Sequence, residues 1–149
     1  MSKVPSITTR RSLPIALLRA REAVMLRFRP MLARNDVTEQ QWRVLRVLGE
    51  NERIEAGVLA DLACVLPSSL SRIIPALEER HLLASARDST DGRRTMLSLT
   101  PHGRQFLANT LPQSAAVYAR IERRFGRRQL SELLDQLEAL QVALATEDD

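Results

Sequence analysis

The sequence predicts a mainly α fold with one small β element (α+β). Alanine, leucine and arginine dominate its 149 residues, and all three favour helix. Apolar residues recur at helical spacing along most of the chain. The period changes in only one place, on either side of Asp91-Gly92. Aromatics make up 3%, fewer than a β-sandwich or a base-stacking domain usually needs. At this length a single domain over residues 1–149 is expected.

Residues 1–11 are polar and basic and read as a loose arm. Ser12 is placed to cap a first helix, with Pro14 tolerated in its first turn. Leu13, Leu17, Ala20, Val24, Phe28 and Met31 form its apolar stripe, and it ends near Ala33-Arg34-Asn35-Asp36. Thr38 and Gln41 fit a capping box for a second helix, which carries Trp42, Val44, Leu45, Val47 and Leu48 and ends at Gly49. Ile54 makes a short extended contact. A third helix runs from Ala56 to Cys64, and a fourth starts at Pro67-Ser68-Ser69 with Leu70, Ile73, Ile74 and Leu77 inward. Pro75 inside it should cost stability or kink it. His81 follows where a left-handed cap would normally be glycine, a conformation histidine tolerates better than most residues.

Leu83–Arg87 and Thr95–Leu99 then read as a β-hairpin. Thr100-Pro101 opens a long helix marked by Phe106, Leu107, Leu111, Ala115, Tyr118 and Ile121. Pro112 should bend it and Gly126 break it. A last helix carries Leu130, Leu133, Leu134, Leu137, Leu140 and Leu144.

Several functions fall away. One cysteine, Cys64, makes neither an internal disulfide nor a cysteine metal cluster, and His81 and His102 are poor material for a metal site. No phosphate loop, paired-carboxylate site or nucleophile–base motif supports an enzyme, and no cofactor is implied. The apolar run Leu13–Leu18 is far too short for a membrane span. Arg10-Arg11 ahead of it is a feature of twin-arginine signals, but no small-residue cleavage site follows, so a cytoplasmic location is expected. The net charge is +4 and the pI about 10.4, compatible with a nucleic-acid partner.

The segment 56–99 is the most informative. Ala60, Cys64, Leu70 and Ile73 have helix-turn-helix spacing: a small residue where helices cross, a turn position usually held by glycine, and two inward contacts. The hairpin directly after it makes a winged helix. A tight helical hairpin packed in a core would share the spacing but would not explain Arg93-Arg94 at a hairpin tip.

Leu59-Ala60, Ser69-Leu70-Ser71-Arg72, Leu77-Glu78, Asp91-Gly92-Arg93-Arg94 and Leu99-Thr100-Pro101-His102-Gly103 match the MarR-family pattern in order and spacing. The chain resembles that family over essentially its whole length. Ser12-Leu13-Pro14, Ala20-Arg21-Glu22, Phe28-Arg29-Pro30 and Thr38 to Val44 are similar to the HpaR branch, regulators of homoprotocatechuate (hydroxyphenylacetate) degradation operons. His81 for glycine, Ser85 for a common arginine and Pro75 depart from the usual pattern.

The resemblance implies a homodimeric winged helix-turn-helix regulator, with dimerisation helices over residues 12–35 and 100–146 and a DNA-binding lobe over residues 38–99. It implies a repressor on a pseudo-palindromic double-stranded operator, released by a small phenolic or aromatic-acid effector. Pro67, Ser68, Ser69, Ser71 and Arg72 are expected to reach base edges from the start of the reading helix. Helix capping is the alternative for Ser68. Asp91 and Arg93 are expected to pair across the wing turn and stabilise it, leaving Arg93 or Arg94 for the minor groove. Residues 54–104 hold six arginines and six acidic residues, so a broad basic patch is not expected.

For the effector, Arg19, Arg21 and Arg46 offer charge and Trp42 an aromatic wall. Interdomain or intersubunit salt bridges are an equal alternative for the arginines, and a core position for Trp42. Two further readings stay open: an oxidant or other small-molecule sensor using the Cys64 thiol, and a helical interaction protein that does not bind DNA. Cys64 is expected to be inert in the helix-turn-helix core.

Overall fold

The computed structural model describes residues 8–146. Most of the basic arm expected over residues 1–11 therefore lies outside the described residues. The chain divides into two compact units, one through Gln113 and one from Ser114.

In the first unit a single 3-10 turn, Thr9–Arg11, precedes helix α1, Leu13–Arg34. Ser12 stands at the N-cap, but its hydroxyl donates backward to the Thr9 carbonyl instead of capping. Helix α2, Glu39–Gly49, begins with the expected capping box: Thr38 Oγ accepts from the Gln41 N–H, and Gln41 Oε1 from the Thr38 N–H, both at 3.1 Å. Strand β1, Ile54–Glu55, leads into helix α3, Ala56–Leu62, and then helix α4, Pro67–Glu79. Strands β2, Leu83–Arg87, and β3, Thr95–Leu99, have the expected bounds. The antiparallel sheet has the order β1-β3-β2, with Ile54 opposite Leu97 and Leu83 opposite Leu99. Helix α5, Pro101–Phe125, follows.

The core of this unit is aliphatic. Trp42, Val44, Leu45 and Leu48 of α2 lie buried, as do Leu59 and Ala60 of α3 and Leu70, Ile73 and Leu77 of α4. Leu83, Leu97, Leu99 and Leu107 are buried too. Each fully buried leucine contributes roughly 1.5–3 kcal/mol through removal from water. α1 behaves differently from its expected stripe. Only Met31 and Leu32 are buried, while Leu13, Leu17, Leu18, Val24 and Leu26 are exposed.

The α4 end is fixed by its neighbours. His81 takes φ +58° and ends the helix, as its position predicted. Thr100 donates its hydroxyl to the His81 carbonyl and its N–H to the Leu82 carbonyl at 3.1 Å. The Thr100 hydroxyl also caps α5 by accepting from the Gly103 N–H at 2.9 Å. Inward positions on α5 are offset from the expected stripe: Leu107 and Thr110 are buried, and Phe106 and Leu111 only half-buried. Thr110 satisfies its hydroxyl on the Phe106 carbonyl at 2.7 Å.

In the second unit, Ser114 and Val117 of α5 are buried. Gly126, at φ +108°, separates α5 from helix α6, Arg127–Ala145. No residue of α6 is buried, and Leu133, Leu134, Val142 and Leu144 are exposed together with Tyr118 and Phe125. Among the described residues, no single helix is long and apolar enough to cross a membrane.

The Leu-Thr-x-x-Gly motif has a steric basis. A Cβ at Gly103 would lie 1.9 Å from the Leu82 carbonyl oxygen, so the backbones would have to part. Gly103→Ala is expected to lose at least about 1–3 kcal/mol, the usual range for overpacking. Urea unfolding measures this; an unchanged midpoint would contradict the contact.

Candidate nucleic-acid interface

Helices α3 and α4 are bent by 106° across the turn at residues 63–66. Helix-turn-helix units adopt roughly 90–120°. Cys64 has φ +53°, the left-handed conformation its turn position demands. Its side chain is nevertheless exposed, between buried Ala63 and Val65, which corrects the expectation of a thiol in the core. The turn directs its flanking residues inward and Cys64 outward. Arg43 of α2 braces the same turn, with Nε donating to the Ala63 carbonyl at 2.8 Å and Nη2 to that of Cys64 at 3.3 Å. Nothing in the motif spacing pointed to Arg43.

Leu70, Ile73 and Leu77 turn the inner side of α4 to the core. Pro67, Ser68, Ser71 and Arg72 are exposed and Ser69 is half-buried. The N-cap residue is Leu66, which makes no side-chain cap bond. Ser68 therefore does not cap the helix and stands in its first turn. Uncapped N–H groups and the positive end of the helix dipole are left for an anion such as a phosphate. Ser71 Oγ donates to the Pro67 carbonyl at 3.1 Å. Pro75 lies inside α4 on an exposed position without ending the helix. Glu78 and Glu79 lie at the opposite end, and Glu78 accepts from Ser85 Oγ at 3.3 Å.

The hairpin tip is ordered by its acids. Asp88 accepts from the Thr90 N–H at 3.2 Å and from its hydroxyl at 3.1 Å, which holds the Asp88 carboxyl below its ordinary range. Asp91 accepts from the Arg93 main-chain N–H at 3.1 Å, and its carboxylate lies 3.7 Å from Arg94 Nε. The pairing thus differs from the expected one: the ion pair is with Arg94, and Arg93 contributes its backbone. An Asx-type bond needs only a residue two positions on, so it reaches Arg93 through the main chain. Both arginine side chains are exposed. Arg87 supports the tip from β2 by donating to the Gly92 carbonyl at 3.1 Å.

The residues expected to meet an effector are exposed or engaged in other contacts. Arg21 pairs with Glu39 at 2.5 Å, and Arg29 bridges Glu39 at 2.9 Å and Glu22 at 2.5 Å. Arg21 is therefore in a salt bridge, one of the two readings the sequence left open. Arg19 is exposed. Trp42 is buried in the core, with the Arg46 guanidinium 6.0 Å from its ring centre. Two open grooves of about 320 Å³ lie elsewhere: one between the α1–α2 corner and α4, the other between α3, α4 and Thr95. None of Arg19, Arg21, Trp42 or Arg46 lines either groove.

A model of the MarR family matches residues 37–95, from just before α2 to the start of β3. The HTH-type transcriptional regulator FarR of Neisseria gonorrhoeae is 36% identical over 144 residues, covering 95% of this chain and 99% of that protein. The chain belongs to the MarR family. This is a family of DNA-binding transcriptional regulators, not enzymes, and its winged helix-turn-helix with flanking helices is the fold described above. Among MarR-type relatives, the homoprotocatechuate degradative operon repressor of Escherichia coli is 38% identical over 127 residues, 85% of this chain and 86% of that protein. The crystal structure of NadR in complex with 4-hydroxyphenylacetate superposes with a TM-score of 0.78 at 37% identity, covering 91% of this chain and 96% of that one. The repressor CouR bound to a 23-mer DNA duplex gives 0.81 at 29% identity, covering 87% and 92%.

The Arg21–Glu39–Arg29–Glu22 cluster predicts a pH dependence. Arg21, then Arg29, holds the Glu39 carboxyl below its ordinary 4.5, and Arg29 does the same for Glu22. A depressed carboxylate stabilises the fold above the unfolded value, and that contribution is lost as pH falls through the folded value. Stability should decline as pH drops below 4.5. Glu39→Gln should flatten part of the decline and cost under about 1 kcal/mol at pH 7, since its partners are well solvated. Chemical denaturation at pH 3 to 7 checks both; an identical pH profile in the variant would contradict the pairing.

Proposed function

We propose that this MarR-family protein is a homodimeric repressor that reads a pseudo-palindromic operator in double-stranded DNA and is released by a small aromatic acid. The exposed, uncapped first turn of α4 carries the reading: Pro67, Ser68, Ser69, Ser71 and Arg72 surround a positive helix end on a helix-turn-helix. In that role α4 enters the major groove, where serines bond bases or phosphates and Arg72 grips guanine or a phosphate. Arg93 and Arg94 extend from the wing towards the minor groove, on a tip shaped by Asp91. CouR on its duplex supports the DNA partner.

Homodimerisation is supported by the exposed leucines of α1 and of α6, which want a cover. Each copy supplies one reading helix, so half-site centres should stand about 10 base pairs apart. An aromatic acid is supported by the E. coli homoprotocatechuate repressor and by NadR with 4-hydroxyphenylacetate. Arg19 is the favoured carboxylate anchor, because Arg21 is already paired with Glu39. Arg21, Trp42 and Arg46 complete the proposed ligand region only if the Arg21–Glu39 pair opens. Release follows if the ligand prefers a dimer whose reading helices are wrongly spaced, a coupling of about 1–3 kcal/mol in typical cases. The exposure of Cys64 favours a second reading, an oxidant response. Loss of DNA binding on mild peroxide treatment, absent in Cys64→Ser, would support it.

The test is a salt-controlled titration of DNA from the protein's own upstream region, with and without 4-hydroxyphenylacetate and 3,4-dihydroxyphenylacetate. Arg72→Ala should cost about 1–3 kcal/mol of binding and relax preference at one position if it contacts a base. Arg93→Ala should weaken binding with less change in base preference. Full affinity in the double variant would refute the reading surface. Arg19→Ala should keep DNA affinity and lose the ligand response; a response equal to the parent's would remove Arg19 as the anchor. A parent that ignores every aromatic acid would remove the effector class.

A further inference from the structure

Arg80 makes three contacts that no property of a reading surface requires. It stands at the C-cap of α4, at the opposite end from Pro67 and Arg72. Its Nη1 donates to the Asp36 carbonyl and its Nη2 to the Asn35 carbonyl at 3.3 Å, so the guanidinium fork closes on the corner between α1 and α2. The same guanidinium lies 5.5 Å from the ring centre of Phe106 on α5, within cation–π range. Asp36 itself takes φ +54° just past the end of α1, a left-handed conformation that aspartate tolerates better than most residues. Asn35 extends the connection, since its Nδ2 donates to Gln113 Oε1 of α5 at 2.8 Å and to the Met31 carbonyl of α1 at 2.7 Å. One side chain therefore joins the end of α4 to α1 and to α5.

α4 is seated on the core along its length by Leu70, Ile73 and Leu77, and its polar ties to α1 and α5 are gathered at its last turn. Its first turn is exposed and uncapped, while its last turn is held by Arg80, by His81 and by Leu82. A helix seated by one apolar face can still tilt on it, and the Arg80 fork at the last turn of α4 limits that tilt against α1 and α5. We infer that Arg80 is a positioning residue that sets the direction of α4 relative to α1 and α5, and so the half-site spacing the dimer accepts. This rests on the proposed reading of DNA by α4 in a homodimer. A lysine keeps the charge but lacks the planar fork needed to hold two carbonyls while stacking on a ring. Arg80→Lys should therefore recover only part of the function.

Two readouts test this. First, the parent, Arg80→Ala and Arg80→Lys are titrated against operators with the native half-site spacing and with one base pair added or removed. The parent should lose about tenfold on the altered spacings. Arg80→Ala should bind all three within about twofold of one another, with base preference unchanged, and Arg80→Lys should fall between. A merely structural role would instead lower affinity equally at every spacing, in step with thermal stability, and would overturn the inference. Second, the distance between copies is measured without DNA. Cys64 is the sole cysteine, is exposed and lies beside the start of α4, so a spin label placed there reports α4 directly by pulsed dipolar spectroscopy. Arg80→Ala should broaden a narrow parental distance distribution. An Arg80→Ala distribution as narrow as the parent's overturns the role of Arg80 and leaves DNA reading intact. A parent without dipolar coupling overturns the inference and the homodimer together.

Discussion

Helix α5 passes the end of α4 with no room for a side chain. The Gly103 backbone lies against the Leu82 carbonyl, where a Cβ would approach to 1.9 Å. Leu82 is also the residue between the left-handed His81 and the first residue of β2. Three directions are therefore set within a few residues: where α4 stops, where the wing starts, and where α5 begins. Thr100 fastens them with its N–H on Leu82 and its hydroxyl shared between the His81 carbonyl and the Gly103 N–H. β3 ends at Leu99 opposite Leu83, so the register of the wing is fixed at the same place. The end of α4 and the base of the wing are both set at this joint, while the start of α4 is held by buried Leu70 and by the turn that Arg43 braces.

Charge is distributed unevenly over this modestly basic chain. The arginines of α1 near α2 are largely neutralised by Glu22 and Glu39. Arg43 and Arg80 are turned onto backbone carbonyls, where they brace the fold. Arg72 and Arg93 remain exposed, Arg94 is exposed but lies 3.7 Å from the Asp91 carboxylate, and the acidic pair Glu78 and Glu79 is kept at the far end of α4. Placement, not net charge, supports the proposed DNA surface.

Local rules made much of the fold legible. The capping box at Thr38, the left-handed sites at Cys64 and His81, the hairpin bounds and the break at Gly126 each follow from residue chemistry within a few positions. Long-range partners were not legible. Arg43 and Arg80 bond to carbonyls 21 and 44 residues away, and carbonyls carry no side-chain signature. The inward row of α5 was displaced because Thr110 can be buried once it bonds its own helix, which polarity counting disfavours. Of the expected α1 stripe only Met31 is buried, and Leu13, Leu17, Ala20 and Val24 face away from this chain's own core. Periodicity identifies an apolar face without identifying what covers it. Cys64 was misplaced for a related reason, since turn spacing fixes φ but not burial.

In the proposed complex the exposed first turn of α4 occupies the major groove. Methylation interference at guanine N7, a major-groove atom, tests it most directly. Two symmetric clusters of interfering guanines, with centres about 10 base pairs apart, are the predicted result. Binding that tolerates methylation of every guanine across an operator whose half-sites contain guanine, while remaining sensitive to backbone ethylation, would show contact with phosphates alone and contradict it.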